Sequence, residues 1–186
     1  MSLVKYKQKR NFGETSEPEG EKRSSGKKLE FVVLHYDFRL EMDGVLKSWA
    51  IPKGPSINSS DKRLAMMVGD HPFEYRKFSG NIPEGNYGAG IVEIWDHGTY
   101  IPEDEERKVV TEKQILKDLK AGVIKFSLKG KKLKGSFALV KMKKAESNFW
   151  LMIKHKDEFS VLSDYNSEDF TVKSSPINKA LKKKAE

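Results

Sequence analysis

A chain of 186 residues, 37% hydrophobic and 10% aromatic, is long enough to bury one sizeable core and fits a single domain. Its 35 Lys and Arg against 27 Asp and Glu give a net charge of +8 and a pI near 9.4, which favours polyanionic partners such as nucleic acid. The absence of cysteine excludes disulfides, thiolate metal sites and a cysteine nucleophile; with no apolar leader and no run of about 18 apolar residues, a soluble cytoplasmic protein without a membrane span is expected.

Residues 1–30 are rich in charge, Gly and Ser and lack an apolar period, so they read as an arm with little regular structure, free to order over a binding site. From Phe31 short alternating runs begin: FVVLHYDFRLEM, the Asp43–Gly44 turn, then VLKSWAI, a strong hairpin signal. RLAMMVG, the loop SGNIPEGNYGAG and IVEIWDHGTY follow, the last read as a strand ending at a turn around His97–Gly98. One helix is predicted at 111–121, where Thr111 and Gln114 form a capping-box pattern, Ile115, Leu116 and Leu119 make an apolar stripe, and Gly122 sits past the end. Three more alternating runs, VIKFSLKG, GSFALVKMK and NFWLMIKH, are separated by KGKKLKG and KAES. Many short antiparallel strands with one or two flanking helices predict a mainly β chain with a β-barrel core, because closure disposes of exposed edges. The barrel is assigned to residues 31–172 and a basic tail to 173–186.

If LHYDFRL is one strand, His35, Asp37 and Arg39 share one face while Tyr36, Phe38 and Leu40 share the other. A nitrogen and an oxygen donor for a divalent ion then lie beside a guanidinium suited to phosphate oxygens, which points to phosphate-ester chemistry. A half-solvated strand carrying an Arg–Asp ion pair accounts for the triplet alone equally well. In RLAMMVGDHPFEY, His71 falls at a strand end, where sites are commonly built, although a histidine capped by backbone is the plainer reading. Taken singly, Tyr75 reads as a core or rim aromatic, and Lys53, between two prolines, as a solvated lysine on a stiff loop. PEGNYGAG matches neither a P-loop nor a dinucleotide fingerprint and reads as turn geometry. His97 and His155 read as surface residues, and no serine-hydrolase, zincin or redox motif occurs.

Several long segments in order go further: HYDFRLEMDGVLKSWAIPKGPS, RLAMMVGDHPFEY, IPEGNYGAG with WDHGTY, and LKGSFALVKMK with NFWLMIKHKDE. Together they closely resemble the 3′-phosphoesterase domain of bacterial and archaeal DNA ligase D, including its stand-alone forms, and YKQKRNFGETSEPEG resembles that family's leader. The resemblance implies a compact β-barrel enzyme that removes a 3′-terminal ribonucleoside from a primer strand, leaving a 3′-phosphate, and then hydrolyses that phosphate to a 3′-hydroxyl for repair and ligation. It implies manganese, or another divalent transition metal, as cofactor. Carried over by motif, His35 and Asp37 resemble metal ligands, while Arg39, His71 and Tyr75 resemble the group that holds the scissile phosphate. Lys53 and Arg63 match further basic positions near that phosphate, and Arg10 and Glu17 match functional residues of the leader. His71 is then a general acid or a phosphate donor, and Tyr75 donates a hydrogen bond to the phosphate.

The implied partners are a primer-template with a 3′-ribonucleotide or 3′-phosphate end, and beyond it a DNA ligase, a polymerase/primase and a Ku-type end-binding protein, with the chain itself monomeric. Two departures stand out. Asn11 replaces the aspartate of the leader motif, and Val33 runs directly into Leu34 where the family carries a QKH-type segment with another metal-binding histidine. Either the chain lacks that ligand or it is interrupted there, and an interruption would hold Val33 and Leu34 further apart than the roughly 3.8 Å of joined Cα atoms. A non-catalytic nucleic-acid-binding module of an end-joining complex, or a scaffold docking other repair proteins through its arm and tail, are the alternatives from other functional classes.

Overall fold

The computed structural model describes residues 3–24, 26, 28–143 and 148–179. A short helix, α1 (Leu3–Gln8), precedes β1 (Leu29–Leu34), β2 (Asp37–Met42), β3 (Val45–Ala50), β4 (Lys62–Met67) and the two-residue β5 (His71–Pro72). After the 3-10 turn Phe73–Lys77 come β6 (Gly80–Ile82), β7 (Gly90–Val92), β8 (Ile94–Glu103), α2 (Glu112–Ala121), β9 (Val123–Gly130), β10 (Lys134–Lys141) and β11 (Phe149–Lys154). A second 3-10 turn covers Ser167–Phe170. The strand order β2-β1-β8-β9-β10-β11-β4-β3, with β3 pairing back to β2, closes an antiparallel barrel of eight strands, and β5 hangs on β3 outside the ring. The mainly β expectation is met.

Alternation builds the wall. Phe38, Leu40, Trp49, Phe126, Phe137, Leu139, Trp150 and Met152 enter the barrel, where they are almost fully buried. On the opposite face a second apolar cluster, containing Tyr6, Val32, Leu46, Phe73 and Tyr75, forms where the arm and the 73–77 turn pack against β1 and β3. α2 is capped as expected: the Thr111 hydroxyl accepts from the Gln114 amide, and Gly122 adopts φ 95° at the C-terminus, a left-handed conformation that suits glycine. Only half of the capping box forms, because the Gln114 side chain donates to Asp118 instead.

The chain departs from the sequence reading at four places. FVVLHYDFRLEM is two strands: β1 ends at Leu34, His35 and Tyr36 make the turn, and Leu34 pairs with Asp37. No turn-type residue marks that reversal, and Val32 to Leu34 are buried on both faces, so the run simulates one strand. β1 itself runs through the Val33–Leu34 junction, with Phe38 and Asp37 opposite the two residues. The arm is not wholly irregular, since it carries α1. The glycine-rich loop is framed by a small hairpin, Gly80–Ile82 against Gly90–Val92.

β8 also continues through His97–Gly98 instead of ending there. The glycine there serves close packing: a Cβ on Gly98 would lie 2.2 Å from the Lys129 carbonyl oxygen of β9. Gly98→Ala is therefore expected to cost about 1–3 kcal/mol through forced separation of β8 and β9, read as a lowered melting temperature. The KAES turn and residues 180–186 of the basic tail lie outside the described residues. Among those described, no helix is long and apolar enough to cross a membrane.

Candidate active site

On β2, Phe38 and Leu40 enter the core, so Asp37 and Arg39 project from the outer face of the wall. Val32 of β1 and Ser48 of β3 flank Arg39 in register. The arm, the Val68–Tyr75 segment and the β6–β7 hairpin rise around this face and enclose a cavity of about 360 Å³, lined by Arg10, His35, Asp37, Arg39, His71 and Tyr75 among others. Six of the nine residues singled out from the sequence thus line one space. His35 reaches it from the turn, so it joins Asp37 and Arg39 without belonging to their strand.

Arg39 is 3% exposed and donates through Nη2 to Asp37 Oδ2 at 2.9 Å, while its guanidinium lies 4.4 Å from the centre of the Tyr75 ring. Its Nε and Nη1 are buried without a hydrogen-bond partner. Arginine cannot shed its charge, so two donor nitrogens without partners in a cavity form a ready receptor for an anion. Beside it, Arg10 donates from Nε to Glu17 Oε1 at 2.8 Å and from Nη1 to the Tyr6 carbonyl at 3.2 Å, and its guanidinium stacks 3.8 Å from the Tyr6 ring centre. Tyr75 donates its hydroxyl to the same Glu17 oxygen at 2.9 Å. Burial keeps that phenol protonated by raising its pKa, but its one proton is committed to Glu17. Its ring supports Arg39 and its hydroxyl holds the arm through Glu17.

His71 is fixed by its own strand and by β3. Its Nδ1 lies 3.0 Å from the Gly69 carbonyl, which can only accept, so Nδ1 carries the proton, with Ser48 Oγ 3.3 Å away. Nε2 therefore presents a lone pair to the cavity, where Arg10 Nη2 donates to it at 3.4 Å. Burial, then the charges of Arg39 and Arg10, hold its pKa well below the ordinary 6.5, and the Gly69 carbonyl opposes them only weakly. At neutral pH this imidazole is a neutral acceptor.

His35 Nε2 is buried without a hydrogen-bond partner and lies 3.5 Å from Glu168 Oε1, while Asp37 has an oxygen besides the one bonded to Arg39. Among the described residues no three His, Asp or Glu side chains group to hold a metal. The orphaned imidazole and the carboxylate are donor types that suit a divalent ion, and two such side chains fit a site left open to other ligands and not a closed all-protein centre.

The other predicted positions lie elsewhere. Lys53 is exposed on the loop after β3, and Arg63 of β4 pairs with Asp61 at 2.9 Å and donates to the Tyr165 carbonyl at 2.7 Å; neither lines the cavity. Asn11 accepts from the Gly13 amide in a local turn. Sequence reasoning missed Tyr6 and Ser48. Neither Tyr6, which meets Arg10 just beyond the end of α1, nor Ser48 had a local signal.

The eight-stranded barrel thus carries on its outer wall a cavity lined by two arginines, two histidines and Asp37. A family model described as the DNA ligase D 3′-phosphoesterase domain matches residues 28–141, and the chain belongs to that family of phosphoesterases. It is 42% identical over 165 residues to the multifunctional non-homologous end joining protein LigD of Pseudomonas aeruginosa, covering 83% of this chain and 19% of that one. With LigD of Mycolicibacterium smegmatis the identity is 39% over 164 residues, covering 84% of this chain and 21% of the other. The chain thus spans about a fifth of the length of these relatives.

Proposed function

We propose that this protein is a DNA 3′-end-processing phosphoesterase that releases a 3′-terminal ribonucleoside and then the remaining 3′-phosphate. The observation that carries it is Arg39, buried with two unpaired donors in a cavity shared with Arg10 and a neutral His71. In the diester step water attacks phosphorus and the 5′-oxygen of the terminal ribonucleoside leaves as a hydroxyl, so that a 3′-phosphate remains; in the monoester step water again attacks phosphorus and the 3′-oxygen leaves as a hydroxyl. Arg39 Nε and Nη1, with Arg10, hold the non-bridging oxygens and offset their developing charge. His71 Nε2 takes a proton from the attacking oxygen and returns it to the leaving one. Once the dianionic phosphate is bound, its charge opposes that of the two arginines and favours this uptake.

His35 and Asp37 would hold a manganese or similar divalent ion, which supplies Lewis acidity toward a phosphate oxygen and acidifies a bound water. The end-joining relatives and the basic charge support a nucleic-acid substrate; in this proposal it is a primer-template end, processed beside a ligase, a polymerase/primase and a Ku-type protein by a monomer in the cytoplasm.

Incubation with a primer-template bearing one 3′ ribonucleotide, with and without manganese, tests the reading. Conversion to a 3′-phosphate and then a 3′-hydroxyl end is expected. Binding that weakens with salt but yields no product would instead identify a non-catalytic nucleic-acid module.

The protonation of His71 has its own readout. Its folded pKa lies below 6.5, so the folded protein binds fewer protons than the unfolded chain between those two values, and its contribution to stability is complete above 6.5 and lost as pH falls through the folded value. In the free protein the His71 resonance is expected to titrate below pH 6.5 by NMR and to move upward when inorganic phosphate is added. Titration above 6.5 without phosphate would contradict its role as a resting base.

A further inference from the structure

Tyr87 lies in the glycine-rich loop between β6 and β7, at the rim of the cavity, and its side chain is 54% exposed. One exposed aromatic is unremarkable by itself; its position is what carries meaning. Lys9 Nζ lies 4.7 Å from the ring centre and the Arg10 guanidinium 5.4 Å from it, and among the described residues no other ring packs on it. Arg10 in turn reaches His71 at 3.4 Å, so the ring, the cation and the interior anion site follow one another without a gap. Lys5 and Lys9 add exposed positive charge to the same rim. An aromatic face beside cations that track a phosphate backbone is how single nucleotides are gripped without sequence preference, since every base has a π-face.

We propose that Tyr87 is a stacking platform for the base of the terminal nucleoside whose phosphate sits at Arg39 and Arg10, with Lys5 and Lys9 holding the adjoining backbone. This deepens the 3′-end reading and rests on it for the identity of the phosphate. The glycine-rich loop thus becomes a recognition element that registers the strand end over the cavity, accepts any base, and leaves the chemistry to the interior residues.

The test uses a fluorescein-labelled primer-template with one 3′ ribonucleotide and a twin whose terminal base is replaced by hydrogen, with dissociation constants measured by anisotropy in the presence of a chelator. The parent protein is expected to bind the base-bearing probe roughly 5- to 150-fold more tightly, the range for one base–aromatic stack. Tyr87→Ala should bind both probes equally, and Tyr87→Trp should restore the preference. No preference in the parent, or a preference retained in Tyr87→Ala, overturns the proposal. A preference that depends on Tyr87, combined with no product when manganese is added, supports the stack and sinks the phosphoesterase reading. Failure to bind either probe overturns both.

Discussion

Arg39→Met is expected to lower kcat/KM for release of the 3′ ribonucleoside by about 10²- to 10³-fold, the usual loss when one preorganised donor to developing charge is removed. The loss should fall largely on kcat. Methionine retains much of the apolar stem, and the Tyr75 ring and the Val32 and Ser48 neighbours stay in place, so the melting temperature should change little. Arg39→Lys should recover only part of the rate, because an ammonium cannot reproduce a fork that binds Asp37 through Nη2 while offering Nε and Nη1 to the cavity. Activity within twofold of the parent for Arg39→Met would remove the central element of the site.

The second large effect concerns the arm. Arg10 and Glu17 form an ion pair whose side chains are 5% and 0% exposed, and Glu17 also accepts from Tyr75. Arg10→Met leaves a buried carboxylate with only a phenol to answer it, a loss of about 3–5 kcal/mol for breaking such a pair from one side. Because Glu17 and Tyr75 are 58 residues apart, the consequence is local: the arm should lift from the wall. Hydrogen exchange over residues 3–18 is expected to accelerate sharply while the barrel strands keep their protection. Adding Glu17→Gln removes the stranded charge and should restore much of the docking but none of the activity, since the Arg10 contact to His71 and the phosphate is gone. Unchanged exchange in the single variant would show that the arm is held by apolar contacts of Tyr6 and Phe12 alone.

The fold was largely legible. Alternation in VLKSWAI, VIKFSLKG and GSFALVKMK identified β3, β9 and β10, and Thr111 with Gly122 bounded α2, because burial of one face and capping are local properties. Reversals without turn residues were not legible. His35–Tyr36 turns because Tyr36 packs against Trp95, whose ring centre lies 5.5 Å away, and because the Ile51 amide donates to the Tyr36 carbonyl. At His97–Gly98 the turn expectation failed for the opposite reason, since Gly98 serves the close approach of β9.

The site divides in the same way. Resemblance and residue chemistry drew His35, Asp37, Arg39, His71, Arg10, Glu17 and Tyr75 together, and packing separated Lys53 and Arg63 from them by giving Arg63 other partners and leaving Lys53 in solvent. Roles were harder to read than membership. Tyr75 donates its proton to Glu17, and His71 rests as an acceptor, because the partner of each polar atom depends on chains meeting from far apart in sequence.

Composition, charge and short-range pattern determined that this is a basic, mainly β chain, while the candidate phosphate residues were singled out by the resemblance. Tertiary structure alone decided that Arg39 keeps two free donors, that His71 is neutral, and that Arg10 bridges the interior to the Tyr87 rim. Those outcomes depend on desolvation and on contacts such as Arg10 to His71 across 61 residues, and neither exists until the barrel wall and the arm have packed together.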